Sequence, residues 1–112
     1  MRGLNFNYVI RQDEGTVELY IDRGAEDVEA NKRLFDRLPG NKEEIERAFG
    51  GELSWQRLDA KRSCRVAHTF VVGGWRSDEA KWPEAQDAMI DGMVRLEKAL
   101  KPQIATLKPD FA

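Results

Sequence analysis

Residues 4–22, LNFNYVIRQDEGTVELYID, decide the fold. Leu4, Phe6, Tyr8 and Ile10 alternate with Asn5, Asn7 and Val9, the period of a half-buried strand. Gln12-Asp13-Glu14-Gly15 supplies turn residues, and Gly15 can take a positive φ. Val17, Leu19 and Ile21 then alternate with Glu18, Tyr20 and Asp22. Two runs of period two joined by a short polar turn predict a β-hairpin, with strands over 4–11 and 16–22.

Outward from the hairpin the period changes. Asp22-Arg23-Gly24 ends it, and from residue 25 to 38 the pattern is helical, with Val28, Leu34, Phe35 and Leu38 on one face. Acids crowd the first turns of this helix, as the helix dipole prefers. Pro39-Gly40 stops it. Asn41 reads as an N-cap with Glu44 in the capping-box position, and Ile45, Ala48 and Phe49 give a second helix over 41–49 that ends at Gly50-Gly51. Alternation resumes around Leu53, Trp55 and Arg57 and again through Cys64, Val66, His68, Phe70 and Val72, predicting strands over 53–58 and 63–72. Residues 75–81 read as a polar loop. Pro83 suits a first helical turn, and Ala85, Met89, Met93, Leu96 and Leu100, widened by Ile90 and Val94, predict a helix over 82–101 that Pro102 kinks or ends.

The order is ββ-αα-ββ-α. It predicts a single α+β domain over 1–112, a four-stranded, mostly antiparallel sheet with its helices packed on one face. Leu19, Ile21, Phe35, Trp55, Phe70, Met89 and Leu96 are the expected core, with Trp82 at the head of the last helical stripe. The opposite sheet face carries Val9, Tyr20, Ala67, Thr69 and Val71, and is less polar than a solvated face. Val9, Tyr20 and Val71 are therefore the expected interface of a homodimer.

Composition narrows the function classes. A net charge of −2 lacks the strongly basic signature of a dedicated DNA-binding domain. The single cysteine, Cys64, permits no intrachain disulfide and fits a reducing compartment. The single histidine, His68, leaves no histidine-rich metal centre. No cofactor motif and no metal-ligand set is read. The opening residues carry no apolar signal segment and no stretch is long enough to span a bilayer. A cytoplasmic protein is expected.

The chemistry concentrates in Trp55-Gln56-Arg57-Leu58-Asp59-Ala60-Lys61-Arg62-Ser63-Cys64-Arg65. Arg57, Lys61, Arg62 and Arg65 gather against one acid. A cationic turn of this kind can dock on phosphates through charge-assisted hydrogen bonds, and these residues, with Trp75 as a base-stacking contact, are the candidate nucleic-acid surface. The alternative is a solvated turn, or arginines paired with acids of the neighbouring helices. Asp59-Ala60-Lys61 also spells half of a PD-(D/E)xK nuclease signature, for which Asp22 is the available second acid. No catalytic residue is assigned. Cys64 alternates with core residues and reads as an inert buried thiol. His68, four residues along the same strand face, is about 13 Å away and too far to activate it.

Val17-Glu18-Leu19-Tyr20-Ile21-Asp22-Arg23-Gly24, Asn31-Lys32, Lys42-Glu43-Glu44-Ile45-Glu46 and Phe49-Gly50-Gly51 resemble a known family. Leu53-Ser54-Trp55-Gln56-Arg57-Leu58-Asp59, Lys61-Arg62-Ser63-Cys64-Arg65 and Arg95-Leu96-Glu97-Lys98-Ala99-Leu100-Lys101-Pro102 continue the match in order along nearly the whole chain. The family is the domain of unknown function numbered 4268. The resemblance implies an accessory domain that often follows a PD-(D/E)xK nuclease-like region, with a nuclease-like domain or protein as partner. It implies no catalytic residues, and no nuclease-like part precedes strand one in this sequence. The leading expectation is a non-catalytic accessory module with nucleic-acid contact through the basic turn. The rivals are a protein-interaction or dimerisation module, and a small metal-dependent nuclease using Asp22, Asp59 and Lys61.

Overall fold

The computed structural model of the chain describes residues 3–11, 14–70 and 79–111. Strands β1 (Leu4–Ile10) and β2 (Gly15–Ile21) form the expected hairpin, paired from Leu4 opposite Ile21 to Ile10 opposite Gly15. A 3-10 turn at Ala25–Asp27 leads into helix α1 (Val28–Arg37), and a second at Leu38–Asn41 leads into α2 (Lys42–Phe49). Strands β3 (Ser54–Gln56) and β4 (Cys64–Phe70) follow, then the long α3 (Trp82–Phe111). All four strands are antiparallel to their neighbours, in the order β1-β2-β4-β3, so β1 and β3 are the edges. The domain is α+β with the predicted order, and its three helices lie on one face of the sheet. Among the described residues no helix is long and apolar enough to cross a membrane.

The period-two reading chose the core face correctly. Val17, Leu19 and Ile21 of β2 and Cys64 and Val66 of β4 are fully buried under the helices. They meet Leu34 and Phe35 of α1, Leu38 of the 3-10 turn that follows it, Ile45 and Phe49 of α2, and Met89, Met93, Leu96 and Leu100 of α3. Trp55 and Phe70 are half-buried against this cluster rather than inside it. Burying each large aliphatic or aromatic side chain contributes about 1.5–3 kcal/mol, so this one cluster carries the domain.

Several expectations fail for identifiable reasons. Pro102 does not end α3, which continues to Phe111. The added turns are held by Ile104 and Leu107, which pack on the core, and by Asn41 Nδ2 donating to Gln103 Oε1 at 2.7 Å. Asn41 therefore spends its side chain on α3 and makes no capping hydrogen bond to α2. Ile90 and Val94 do not widen the buried stripe, being exposed. Gly92 sets the closest approach of α3 to the sheet, where any Cβ would run into the Phe70 ring, and residues two away point about 200° from it. Trp82, at the head of α3, is exposed, whereas Met89, two turns on, packs over Gly15. Val28 and Ala48 are also exposed. On the outer face Val9 and Tyr20 are half-buried, and Val71 lies outside the described residues.

Glu46 ties α2 to β3. Its Oε2 accepts the Leu53 amide at 2.7 Å and Trp55 Nε1 at 3.3 Å. The Leu53 amide, more than the other neighbours, holds the Glu46 carboxyl below its ordinary value of 4.5. A lowered folded value contributes stability that is present above the ordinary value and is lost as pH falls through the folded one. Glu46→Gln is therefore expected to lower the urea midpoint at neutral pH and to lose that deficit progressively as the pH falls below the ordinary carboxyl value of 4.5. A deficit that stays constant across the range contradicts this role.

Candidate functional site

The β3–β4 connection, residues 57–63, has too few residues in the ladder to pair its own backbone, so its carbonyls need donors from elsewhere. Leu58 adopts φ 54°, the left-handed region, at a cost of about 1–2 kcal/mol for a residue with a side chain. The Lys61 amide closes the turn on the Leu58 carbonyl at 2.8 Å. Beneath it lies Lys32 of α1, a buried residue. Its Nζ donates to the carbonyls of Arg57, Leu58 (2.9 Å) and Ser63 (2.9 Å), matching the three donors of an ammonium group.

Asn31, fully buried beside it, works in the same place. Its Nδ2 donates to the Arg62 carbonyl at 2.9 Å, while its Oδ1 accepts the Arg23 amide at 2.9 Å. One side chain thus fastens the β3–β4 turn to the corner between β2 and α1. The buried Cys64 thiol donates to the Asn31 carbonyl at 3.7 Å, and burial pushes its pKa up, away from nucleophile chemistry. His68 is packed between the rings of Phe49 and Phe70, at 5.1 and 4.6 Å, with Nδ1 against the Glu52 carbonyl.

The two arginines of the turn are committed to carboxylates. Arg57 forks onto both oxygens of Asp36, at 2.9 and 3.1 Å, and also meets Asp59. The hydrogen bonds to Asp36, then to Asp59, raise the Arg57 pKa still further and keep it charged. Arg62 donates to Asp22 Oδ2 at 3.0 Å, and Asp22 Oδ1 accepts the Gly24 amide at 2.9 Å. That amide, with Arg62, holds Asp22 below its ordinary value. Lys61 is exposed and makes no ion pair among the described residues. Arg57, Lys61 and Arg62 share the turn. Arg65 lies apart on the outer sheet face, and Trp75 lies outside the described residues.

Arg65 belongs to a polar chain that crosses all four strands. Asn7 Nδ2 of β1 donates to Glu18 Oε2 of β2 at 3.3 Å. Arg65 Nη1 of β4 donates to Glu18 Oε1 at 3.1 Å, and its Nε donates to Gln56 Oε1 of β3 at 2.9 Å. The Glu18 side chain is only 6% exposed, so the pair is well shielded. Asp22 and Asp59, the two acids of the nuclease reading, are each engaged by a different arginine. Among the described residues no group of three or more His, Cys, Asp or Glu side chains is placed to hold a metal ion.

Sequence reasoning missed Asn31, Lys32, Asp36 and Glu18. For the first two a signal existed. With Val28, Phe35 and Leu38 they stand at i, i+3, i+4, i+7 and i+10 of α1, so an Asn and a Lys occupy apolar-face positions. The family model described as Domain of unknown function (DUF4268) matches residues 1–104. No curated protein and no solved structure matches the chain.

Removing the Lys32 ammonium leaves three carbonyls without their donor. Lys32→Met is expected to cost about 2–4 kcal/mol in urea unfolding, less than the sum of separate charged hydrogen bonds because the turn relaxes toward water. Lys61→Met, on the exposed side of the same turn, should stay within about 0.5 kcal/mol of wild type. Equal effects would remove Lys32 from this role.

Proposed function

Since the chain belongs to the domain-of-unknown-function family DUF4268, whose description assigns no activity, we propose its function from the geometry: it is a binding module that works through an apolar surface. The observation that carries this is where the exposed apolar side chains sit. Tyr8 and Ile10 on β1 are 50% and 59% exposed, and Ile90 and Val94 on α3 are 56% and 61% exposed. The charged groups of the turn, by contrast, are used internally. Arg57 and Arg62 face Asp36, Asp59 and Asp22, which leaves Lys61 as the turn's unpaired cation among the described residues, and Arg65 on the sheet faces Glu18. A role beside a nuclease-like domain or protein, as the resemblance implies, needs such a surface and no catalytic group here. The buried free Cys64 suits a reducing, cytoplasmic setting.

A second reading, phosphate contact by the turn, is favoured by one observation. Lys61 projects from the tip without an ion pair among the described residues, and Arg62 beside it is more than half exposed. Each phosphate neutralised contributes about −0.9 to the log-log salt slope on duplex DNA.

Fluorescence anisotropy of a labelled DNA duplex across a salt series separates the two. The binding-module reading predicts no binding tighter than about 10⁻⁴ M at physiological salt, and no difference between wild type and the Lys61→Gln/Arg62→Gln variant. Binding in the 10⁻⁴ to 10⁻⁶ M range, with a slope that the double variant flattens by nearly two units, would move the function to the turn.

A further inference from the structure

The two edges of the sheet are unlike each other. The β3 edge is three residues long and flanked by Glu52 and Arg57. Short, charged edges are how folded proteins keep a sheet from pairing onward. The β1 edge is seven residues long, Leu-Asn-Phe-Asn-Tyr-Val-Ile, with no charge and no proline. Among the described residues β1 pairs only with β2, which leaves the backbone groups of its other side open. Its helix-side face ends in the exposed Tyr8 and Ile10. The stripe of α3 that carries Ile90 and Val94 continues to Lys101, whose Nζ lies 5.9 Å from the Phe6 ring centroid, so this stripe turns toward β1.

We infer that β1 pairs antiparallel with β1 of a second copy about a two-fold axis at Asn7, making one continuous eight-stranded sheet. This rests on the binding-module reading and names its partner and surface. The strand is complementary to itself in that register. Asn7 meets Asn7, Phe6 meets Tyr8, and Leu4 meets Ile10, so every helix-side pair is apolar. On the other face Asn5 meets Val9. A two-fold contact also closes on itself: it uses up the long edge of both copies and leaves only the short β3 strands outside, so it does not propagate into a fibre. The interface takes Val9 from the set expected on the outer face and replaces Tyr20, one strand further in, with Tyr8 and Ile10.

The register gives a positional test, made in a Cys64→Ser background. Opposed residues of an antiparallel pair lie about 4.5–5.5 Å apart between Cα atoms, inside disulfide range, whereas Asn5 and its two-fold mate are four residues out of register, about 13 Å apart. Asn7→Cys is expected to cross-link between chains under mild oxidation, and Asn5→Cys is not. Sedimentation velocity should show the wild type as a concentration-dependent dimer. Tyr8→Lys/Ile10→Lys, at exposed sites that leave the fold intact by circular dichroism, should raise the dissociation constant by about a hundredfold. Equal cross-linking of both cysteine variants, or a monomer at high micromolar concentration, overturns the inference. A monomer that also ignores duplex DNA refutes the second copy alone, whereas salt-sensitive duplex binding lost in the Lys61/Arg62 variant refutes the binding-module reading.

Discussion

The Lys32 ammonium against the carbonyls of Arg57, Leu58 and Ser63 is the interaction on which the arrangement of the layers depends. The sheet ends at a β3 strand of three residues, and the connection from β3 to β4 cannot satisfy its backbone within the ladder. Burying such a segment without donors would cost about 1–3 kcal/mol for each unpaired group. Lys32 supplies the donors from beneath, and Asn31 supplies one more while holding the Arg23 amide at the end of β2. The face of α1 that meets the sheet is therefore divided. Leu34 and Phe35, with Leu38 just past its end, fill the core, and Asn31 and Lys32 order the turn. The left-handed Leu58 persists because both flanking carbonyls are fixed.

What could be read from the sequence follows the range of each interaction. The hairpin and the buried stripe of α3 are local periodicities, and they place Val17, Leu19, Ile21, Met89, Met93 and Leu96 in the core. The exact width of the α3 stripe was not legible, because Gly92 sets the closest approach through Phe70, far away in sequence. Nor was the length of α3, since Pro102 reads as a kink or an end, and the packing of Ile104 and Leu107 carries the helix past it. The site was legible as a cluster of cations but not as a set of pairs. Arg57 finds Asp36, Arg62 finds Asp22 and Arg65 finds Glu18 only after the sheet and α1 have come together. Asn31 and Lys32 were visible as polar residues on an apolar face, a break in pattern whose meaning lies in carbonyls about thirty residues downstream.

The same division separates what holds the domain together from what it offers outward. The arginines of the β3–β4 turn are paired with acids there, and Glu18 and Arg65 are shielded inside a polar chain from Asn7 to Gln56. Such pairs contribute modestly to stability and mainly fix geometry, since desolvation offsets much of their attraction. The uncovered apolar area and the open backbone lie at the other edge, on β1 and the adjoining stripe of α3. The part of the family-like residue pattern that lies around the turn is thus, in this structure, largely a pattern of folding contacts.

The central interaction can be observed directly by ¹⁵N NMR of the lysine side chains. An ammonium shared among three carbonyls exchanges its protons slowly and is held in one place. The account predicts one protected ammonium signal, assigned to Lys32 by its loss in Lys32→Met, with proton contacts to the 57–63 turn and slower exchange than Lys61 at the same pH. If every lysine ammonium exchanged as freely as Lys61, the turn would have to be held by something else and the account would fail.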